Sequence, residues 1–296
     1  MLCLGEAIVD LVCEKRDAAI EEADAFRPHF GGALANIAIA ARRGGASVAF
    51  AGGAGDDPWG RWLRWRLERE GVDLSCFSLV GGLRTPVAFV SFDRDGEPAF
   101  QVYGEGIEAC VRSVADRLPA AIAGSSALVF GSNTLVGEPE RALTLRARRL
   151  ANDAGLPVLF DPNLREHRWD DLDVALDLCR RLCEDAFCVR ANLAEARAIT
   201  GAADATHAAA ELVALGARIA VVTRGPEGAV MRGAAHAEAA GVEVEVVSPL
   251  GAGDAFMGAL VAELERGGWD PAGAAGALDA AVEAGARACT HWGAIS

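Results

Sequence analysis

Lysine is nearly missing from this chain. Lys15 is the only one among 296 residues, so lysine-dependent chemistry elsewhere is excluded and no Gly-Lys-Ser/Thr of a P-loop occurs. Positive charge is short overall: 28 Lys and Arg stand against 42 Asp and Glu, and the net charge of −14 repels phosphate backbones and anionic membrane surfaces. Neither a nucleic acid nor a membrane is expected as a partner. No apolar run reaches the roughly 18 residues a membrane helix requires, and no basic, apolar leader opens the chain. The expectation is a soluble cytoplasmic protein.

Paired cysteines are missing too. The eight cysteines, from Cys3 to Cys289, include no Cys-x-x-Cys and no dense framework, which points to reduced thiols. Cys179 and Cys183 lie one helical turn apart, but no His or further Cys stands at ligand spacing, so they read as a buried helix face. The five histidines are scattered and form no His-Glu-x-x-His, leaving zinc catalysis unsupported.

What is present is an alternation of short apolar runs with helical stretches: "SVAFAGG" then "PWGRWLRWRLEREG", "ALVFGS" then "EPERALTLRARRLANDAG", "PVLFDPN" then "LDVALDLCRRLCEDA", "FCVRAN" then "LAEARAITG". Repeated strand, helix, strand implies right-handed crossovers and a mostly parallel sheet covered on both faces. The predicted fold is a single α/β domain over 1–296, a three-layer αβα Rossmann-like architecture, whose ligands bind beyond the carboxyl ends of the strands. Residues 84–106 break the rhythm with two β-rich runs around Asp93-Arg94-Asp95-Gly96, turn chemistry that suits a hairpin. With the aperiodic stretch after Asp10 they predict a small β lid, formed roughly by 11–30 and 84–104.

Trp59, Trp62 and Trp65 interleave with arginines, as in some single-strand binders, but Asp57 as N-cap, Pro58 in the first turn and Gly71 past the end delimit a helix. The tryptophans, with Leu63 and Leu67, read as its packed face. "GGAGDDPWG" brushes against a dinucleotide fingerprint, yet Pro58 occupies the third glycine position and Asp56 and Asp57 would repel a pyrophosphate.

The stretch "SPLGAGDAF" carries the chemistry. Pro249 cannot continue a central strand, Gly251 and Gly253 permit close backbone approach, and a helix from Ala252 would aim the amides of Ala252, Gly253 and Asp254 at one point. A carboxylate beside such an anion seat suits phosphoryl transfer to an alcohol; an N-cap role explains Asp254 equally well, and spacing alone leaves both open. "FGGALAN" offers Gly31, Gly32 and, one turn into a helix, Asn36; "GEAIVDLV" places Asp10 at a strand end, where a carboxylate can bind two hydroxyls.

Together with "DPNLR", "NLAEARAITG" and "VVTRGPEGA" in that order, these segments resemble the ribokinase-like (PfkB) carbohydrate kinases over nearly the whole chain, in wording closest to fructokinase-like members. The resemblance implies Asp254 as general base, with Gly251, Ala252 and Gly253 as the anion hole. It implies Asp10, Gly31, Gly32 and Asn36 around the sugar, and Asn163 and Arg165 between sugar and phosphates. Asn192 and Glu195 would organise Mg²⁺ through water, and Thr223, Gly225 and Gly228 would line the ATP side. The implied substrate is a fructose-like ketose, with 2-keto-3-deoxygluconate or a riboside as alternatives and a non-catalytic sugar- or nucleoside-binding protein as the rival class. Ser248 stands where the family commonly has the Asp of a monovalent-cation site, which puts potassium activation in doubt. The chain stops at "HWGAIS", right after the Gly-Ala that usually precedes a last element, which would alter the adenine pocket wall or simply cost some packing. A lid face of Val87, Phe89 and Phe92 predicts a homodimer.

Overall fold

Buried parallel strands need apolar side chains on both faces, and the short runs supply them. The computed structural model describes residues 1–296 except Arg16, Ala18, Asp95, Glu97, Gly104 and Glu105. Among the described residues nine strands form the main sheet, in the order Ala237–Ala239, Ala229–Gly233, Ile219–Thr223, Cys188–Asn192, Val158–Asp161, Leu128–Gly131, Leu2–Leu4, Ala49–Gly55, Phe77–Val80. Pairing is parallel except at the edge where Ala229–Gly233 and Ala237–Ala239 run antiparallel. Alternate residues enter two cores: Cys3, Val129 and Leu159 meet the layer containing helices Ala33–Arg43, Pro58–Arg69, Ala252–Arg266 and Leu278–Ala288. Leu2, Leu128 and Phe160 meet the layer containing Glu138–Asp153, Leu172–Cys183 and Ala205–Ala214. The predicted three-layer α/β architecture is observed. No helix among the described residues is long and apolar enough to cross a membrane.

The lid is a second, four-stranded sheet in the order Arg27–Gly31, Ile8–Val12, Val87–Phe92, Pro98–Tyr103. Its strands extend to Ile8 and Gly31, beyond the expected 11–30. Asp10 is accordingly not at a strand end: Leu2–Leu4 closes the main-sheet strand, the chain crosses at Gly5, and Asp10 lies in mid-strand opposite Ala88. The expected hairpin joins the last two strands, with the amide of Gly96 donating to Asp93 O at 3.1 Å; Asp95 of that turn lies outside the described residues. Strand parity corrects the proposed outer face. Val87 and Phe89 share a face with Phe26 and Tyr103, where Val87 is half-buried against the main core, whereas Phe92 is on the other face, 2% exposed, against Trp292. The tryptophan helix is delimited as expected, but Leu63, Leu67 and the flank of Trp62 form its packed face. Trp59 and Trp65 remain 38% and 46% exposed, because residues three apart drift around a helix with 3.6 per turn.

One helix pair sets the site. Ala33–Arg43 and Ala252–Arg266 touch along positions four apart: Asn36 meets Asp254, Ala40 meets Gly258, and Gly44 meets Ala262. Small residues below allow the polar pair above. A Cβ on Gly258 would lie 2.4 Å from that of Ala40 and 3.0 Å from Ile37 O, so the backbones could not approach as they do. Gly258→Ala is expected to lower stability by about 1–3 kcal/mol through overpacking. It should also lower turnover by separating Asn36 from Asp254; urea unfolding beside an activity assay checks both.

Candidate active site

Pro249 starts a tight turn in which the amide of Ala252 donates to Pro249 O at 3.2 Å, and Gly251 occupies the third position with φ 80° and ψ 0°. These are the dihedrals of a type II turn, which requires φ above zero there. The turn corrects one expectation: the amide of Ala252 is spent on closing it. The amides of Gly251, Gly253 and Asp254 meet no backbone acceptor among the described residues, and they open the 15-residue helix Ala252–Arg266. An anion placed here faces unpaired donors and the positive end of the helix dipole. Ser248 is fully buried, and its hydroxyl accepts from the amide of Leu250 at 3.2 Å.

Asp254 does not cap its helix. Its Oδ2 accepts from Asn36 Nδ2 at 2.8 Å, and the group borders a cavity of about 1030 Å³. Burial pushes its carboxyl up to about 6, against the Asn36 hydrogen bond and the charges of Arg165 and Arg190. Around it lie acceptors without donors: Asn36 Oδ1, Asp10 Oδ1 and Glu6 Oε2 are buried and unpartnered among the described residues. Such a set is satisfied by hydroxyl hydrogens, so a polyhydroxylated molecule fits where an anion would not. Glu6 is fixed by the amide of Ala33 at 3.1 Å and Asn133 Nδ2 at 3.0 Å, and Asn133 in turn receives Arg168. Gly32, at φ 97°, borders the cavity. Gly31 does not; it backs onto the Asp10 carboxyl, which would lie 2.4 Å from a Cβ there.

The far side is built from strand ends. Asn163, with φ 39°, and Arg165 follow strand Val158–Asp161; Arg165 lies over the Phe100 ring of the lid at 5.0 Å, and no surface ion pair holds it among the described residues. Asn192 and Glu195 make a reciprocal cap, and the other Glu195 oxygen accepts from the amide of Leu164 at 2.8 Å, tying this helix to the Asn163 loop. With Thr223, Gly225 and Gly228 they line the same cavity. Among the described residues no group of three or more His, Cys, Asp or Glu could hold a metal directly. Asn192 and Glu195 border the cavity with side-chain oxygens, the donor type a hydrated divalent ion takes.

Residues 1–296 match the pfkB family carbohydrate kinase domain. The chain belongs to the pfkB family. It is a phosphotransferase acting on a sugar hydroxyl. Fructokinase-1 of Zea mays is 33% identical over 269 residues, covering 90% of this chain and 83% of its own. The aminoimidazole riboside kinase of Salmonella enterica, solved with aminoimidazole riboside and an ATP analog, superposes with TM-score 0.83 at 30% identity, over 100% and 95% of the two chains. A Vibrio cholerae O395 fructokinase variant in fructose-, ADP- and potassium-bound form gives TM-score 0.85 at 27% identity, over 100% and 93%.

Sequence reasoning overlooked several residues of this pfkB site. Glu6 joins the acceptor cluster, Asn133 anchors it, and Val242, Val246, Val282 and Gly285 line the same cavity. Arg190, 7% exposed, borders the cavity from the middle of an apolar strand; an arginine inside "FCVRAN" was the visible signal.

Burial pushes Asp10 up to about 7, helped by the Asp254 charge. With Asp254 at about 6, both groups hold protons more tightly in the folded chain than at their ordinary 3.8. Stability from this source is therefore full below about pH 4 and lost as pH rises to about 7. Asp57 and Glu70, shifted downward, act below that window, and His167, lowered mainly by burial, opposes with a single proton. The ligand-free chain is expected to melt higher at about pH 5.5 than at pH 8, with the difference reduced in Asp10→Asn; scanning fluorimetry checks it.

Proposed function

We propose that this kinase transfers the terminal phosphate of ATP to a hydroxyl of a fructose-like ketose. The observation that supports it best is Asp254: a carboxyl with a raised pKa, oriented by Asn36, at the mouth of a helix with unpaired amides. In this reading Asp254 takes the proton of the sugar hydroxyl. The sugar oxygen forms the new P–O bond as the bond to the leaving ADP oxygen breaks, and the amides of Gly251, Gly253 and Asp254 hold the charge of the moving group. Asp10, Asn36 and Glu6 accept from the remaining sugar hydroxyls, and Gly32 lets the sugar approach the backbone. Arg165 and Asn163 close the cleft between sugar and phosphates. Thr223, Gly225 and Gly228 line the nucleotide. Magnesium, when bound, neutralises phosphate charge, with Glu195 and Asn192 reaching it through water. A monovalent cation is left out of the reading, since Ser248 brings no carboxylate to the turn.

Identity to the Zea mays fructokinase favours the ketose. The apolar lid wall of Ile8, Ala88, Phe92, Phe100 and Val102, with the likeness to a riboside kinase, favours a riboside as second reading. Coupled ADP release over fructose, 2-keto-3-deoxygluconate and aminoimidazole riboside tests both: fructose should give the highest kcat/KM, and a riboside preferred by tenfold would replace it. Sugar binding with no magnesium-dependent ADP would identify a non-catalytic binder. The outer lid face of Val87, Phe89 and the half-exposed Tyr103 supports a homodimer, and light scattering showing a monomer at micromolar concentration would dismiss it.

A further inference from the structure

Arg190 sits where an arginine is least welcome, on the central strand Cys188–Asn192 between two parallel neighbours, pointing to the same side as Cys188 and the main core. Its guanidinium is held from two directions. Nη1 donates to Asp161 Oδ2 at 3.2 Å, and Nη2 donates to Thr223 Oγ1 at 2.9 Å. Of five N–H donors on a guanidinium these contacts use two, and Nε is buried with no partner among the described residues. The head lies against the first turn of helix Ala252–Arg266: a Cβ on Gly253 would be 2.8 Å from both Nη atoms. Below it is Phe256, whose ring centre is 5.7 Å away.

That position is between the two halves of the proposed reaction. Thr223 belongs to the nucleotide wall, Gly253 to the anion seat, and Arg190 touches the one while backing the other. Asp161 does not border the cavity and Arg190 does, so the ion pair is oriented, with its anion in the core and its cation toward the ligand. A purely structural pair gains nothing from this orientation or from spare donors. A receptor for a multiply charged phosphate gains both, because a planar fork binds phosphate oxygens in pairs and a buried carboxylate keeps that fork fixed. The chain's scarcity of lysine makes the arginine more telling.

We propose that Arg190 is the cation of the anion hole, receiving the terminal phosphate of ATP on its unused N–H groups and holding its charge while the group moves to the sugar. Asp161 and Thr223 are positioning residues for that guanidinium, and Gly253 is glycine because a side chain would displace it. The inference rests on the kinase reading above, and its test is built to fail separately.

Arg190→Met alone leaves Asp161 buried without its cation, so the decisive variant is Asp161→Asn/Arg190→Met in the full chain. Melting is measured first, then kcat, sugar KM, and the Kd of ATP and ADP by calorimetry with magnesium. The double variant is expected to fold, to lose turnover about 100-fold or more, and to bind ATP about tenfold more weakly with ADP nearly unchanged. Sugar KM should move less than threefold. A folded double variant with turnover and ATP affinity within threefold of wild type overturns the proposal, because Arg190 would then only neutralise Asp161. If the wild-type chain releases no ADP with any sugar, the kinase reading is what has failed, and the ATP-to-ADP affinity ratio still decides the role of Arg190. Should the double variant not fold, Arg190→Lys keeps a cation beside Asp161 but removes the planar fork. A loss of turnover of tenfold or more at unchanged melting temperature supports the role, and unchanged turnover overturns it.

Discussion

Asp254→Asn is expected to lower turnover by about 10²–10⁴-fold, the usual contribution of a positioned general base. Sugar binding should be largely kept. The amide fills the same space, and its oxygen can still accept from Asn36 Nδ2, so the hydrogen bond now measured at 2.8 Å has a substitute. What disappears is the ability to take a proton. The raised carboxyl sharpens the test: with its pKa at about 6, wild-type kcat/KM should fall tenfold per unit below that pH. The residual activity of the variant should lack this acidic limb. An amide variant within tenfold of wild type, with the limb intact, would move the base to another carboxyl. Asp10, at about 7 and bordering the same cavity, is then the alternative.

The turn, the helix and the acid of this site could be read from a dozen consecutive letters, because Gly, Pro and Asp act on their own backbone. Gly251 needs φ above zero whatever surrounds it, and the helix after it follows from local pattern. Partners across the chain could not be read that way. Asn36 and Asp254 are 218 residues apart, and only the resemblance placed them together; the physical reason is the small-residue contact of Ala40 with Gly258, one turn below. The donorless cluster of Glu6, Asp10 and Asn36 likewise exists only in space. Period errors explain the rest. Phe92 cannot share a face with Val87 and Phe89 because strand residues alternate, and Trp59 and Trp65 turn away from Leu63 because the helical repeat is 3.6. Arg190 is hard to read for another reason: a charged residue inside an apolar strand signals a buried polar site, but its partners Asp161 and Thr223 come from the neighbouring strands.

The structure also gives the tail a role that the letters "HWGAIS" did not suggest. Trp292 packs on Phe92 of the lid with ring centres 5.3 Å apart, Gly293 lies against His29 of the lid, Ala294 rests on Gly251, and Ile295 is buried in the main core. One short segment ties the lid to the residue that aims the anion-hole amides.

Gly251→Val should therefore damage both stability and turnover. A β-branched residue at φ 80° costs about 1–3 kcal/mol in backbone strain. Its Cβ would also stand 2.3 Å from the Cβ of Ala294, adding about 1–3 kcal/mol of overpacking unless the tail moves. If the turn yields instead, the amides of Gly253 and Asp254 lose their common target, and removing one such donor typically lowers turnover by about 10²–10³-fold. Two further variants separate the causes. Gly251→Ala keeps the φ strain and the Cβ clash without the branched methyls, and adding Ala294→Gly removes the contact with the Ala294 methyl while leaving the one with its Cα at 2.5 Å. Melting temperature should recover in part in the double variant, while turnover stays low as long as residue 251 cannot hold its left-handed conformation. Full activity in Gly251→Ala would mean that the amides are aimed by something other than this turn.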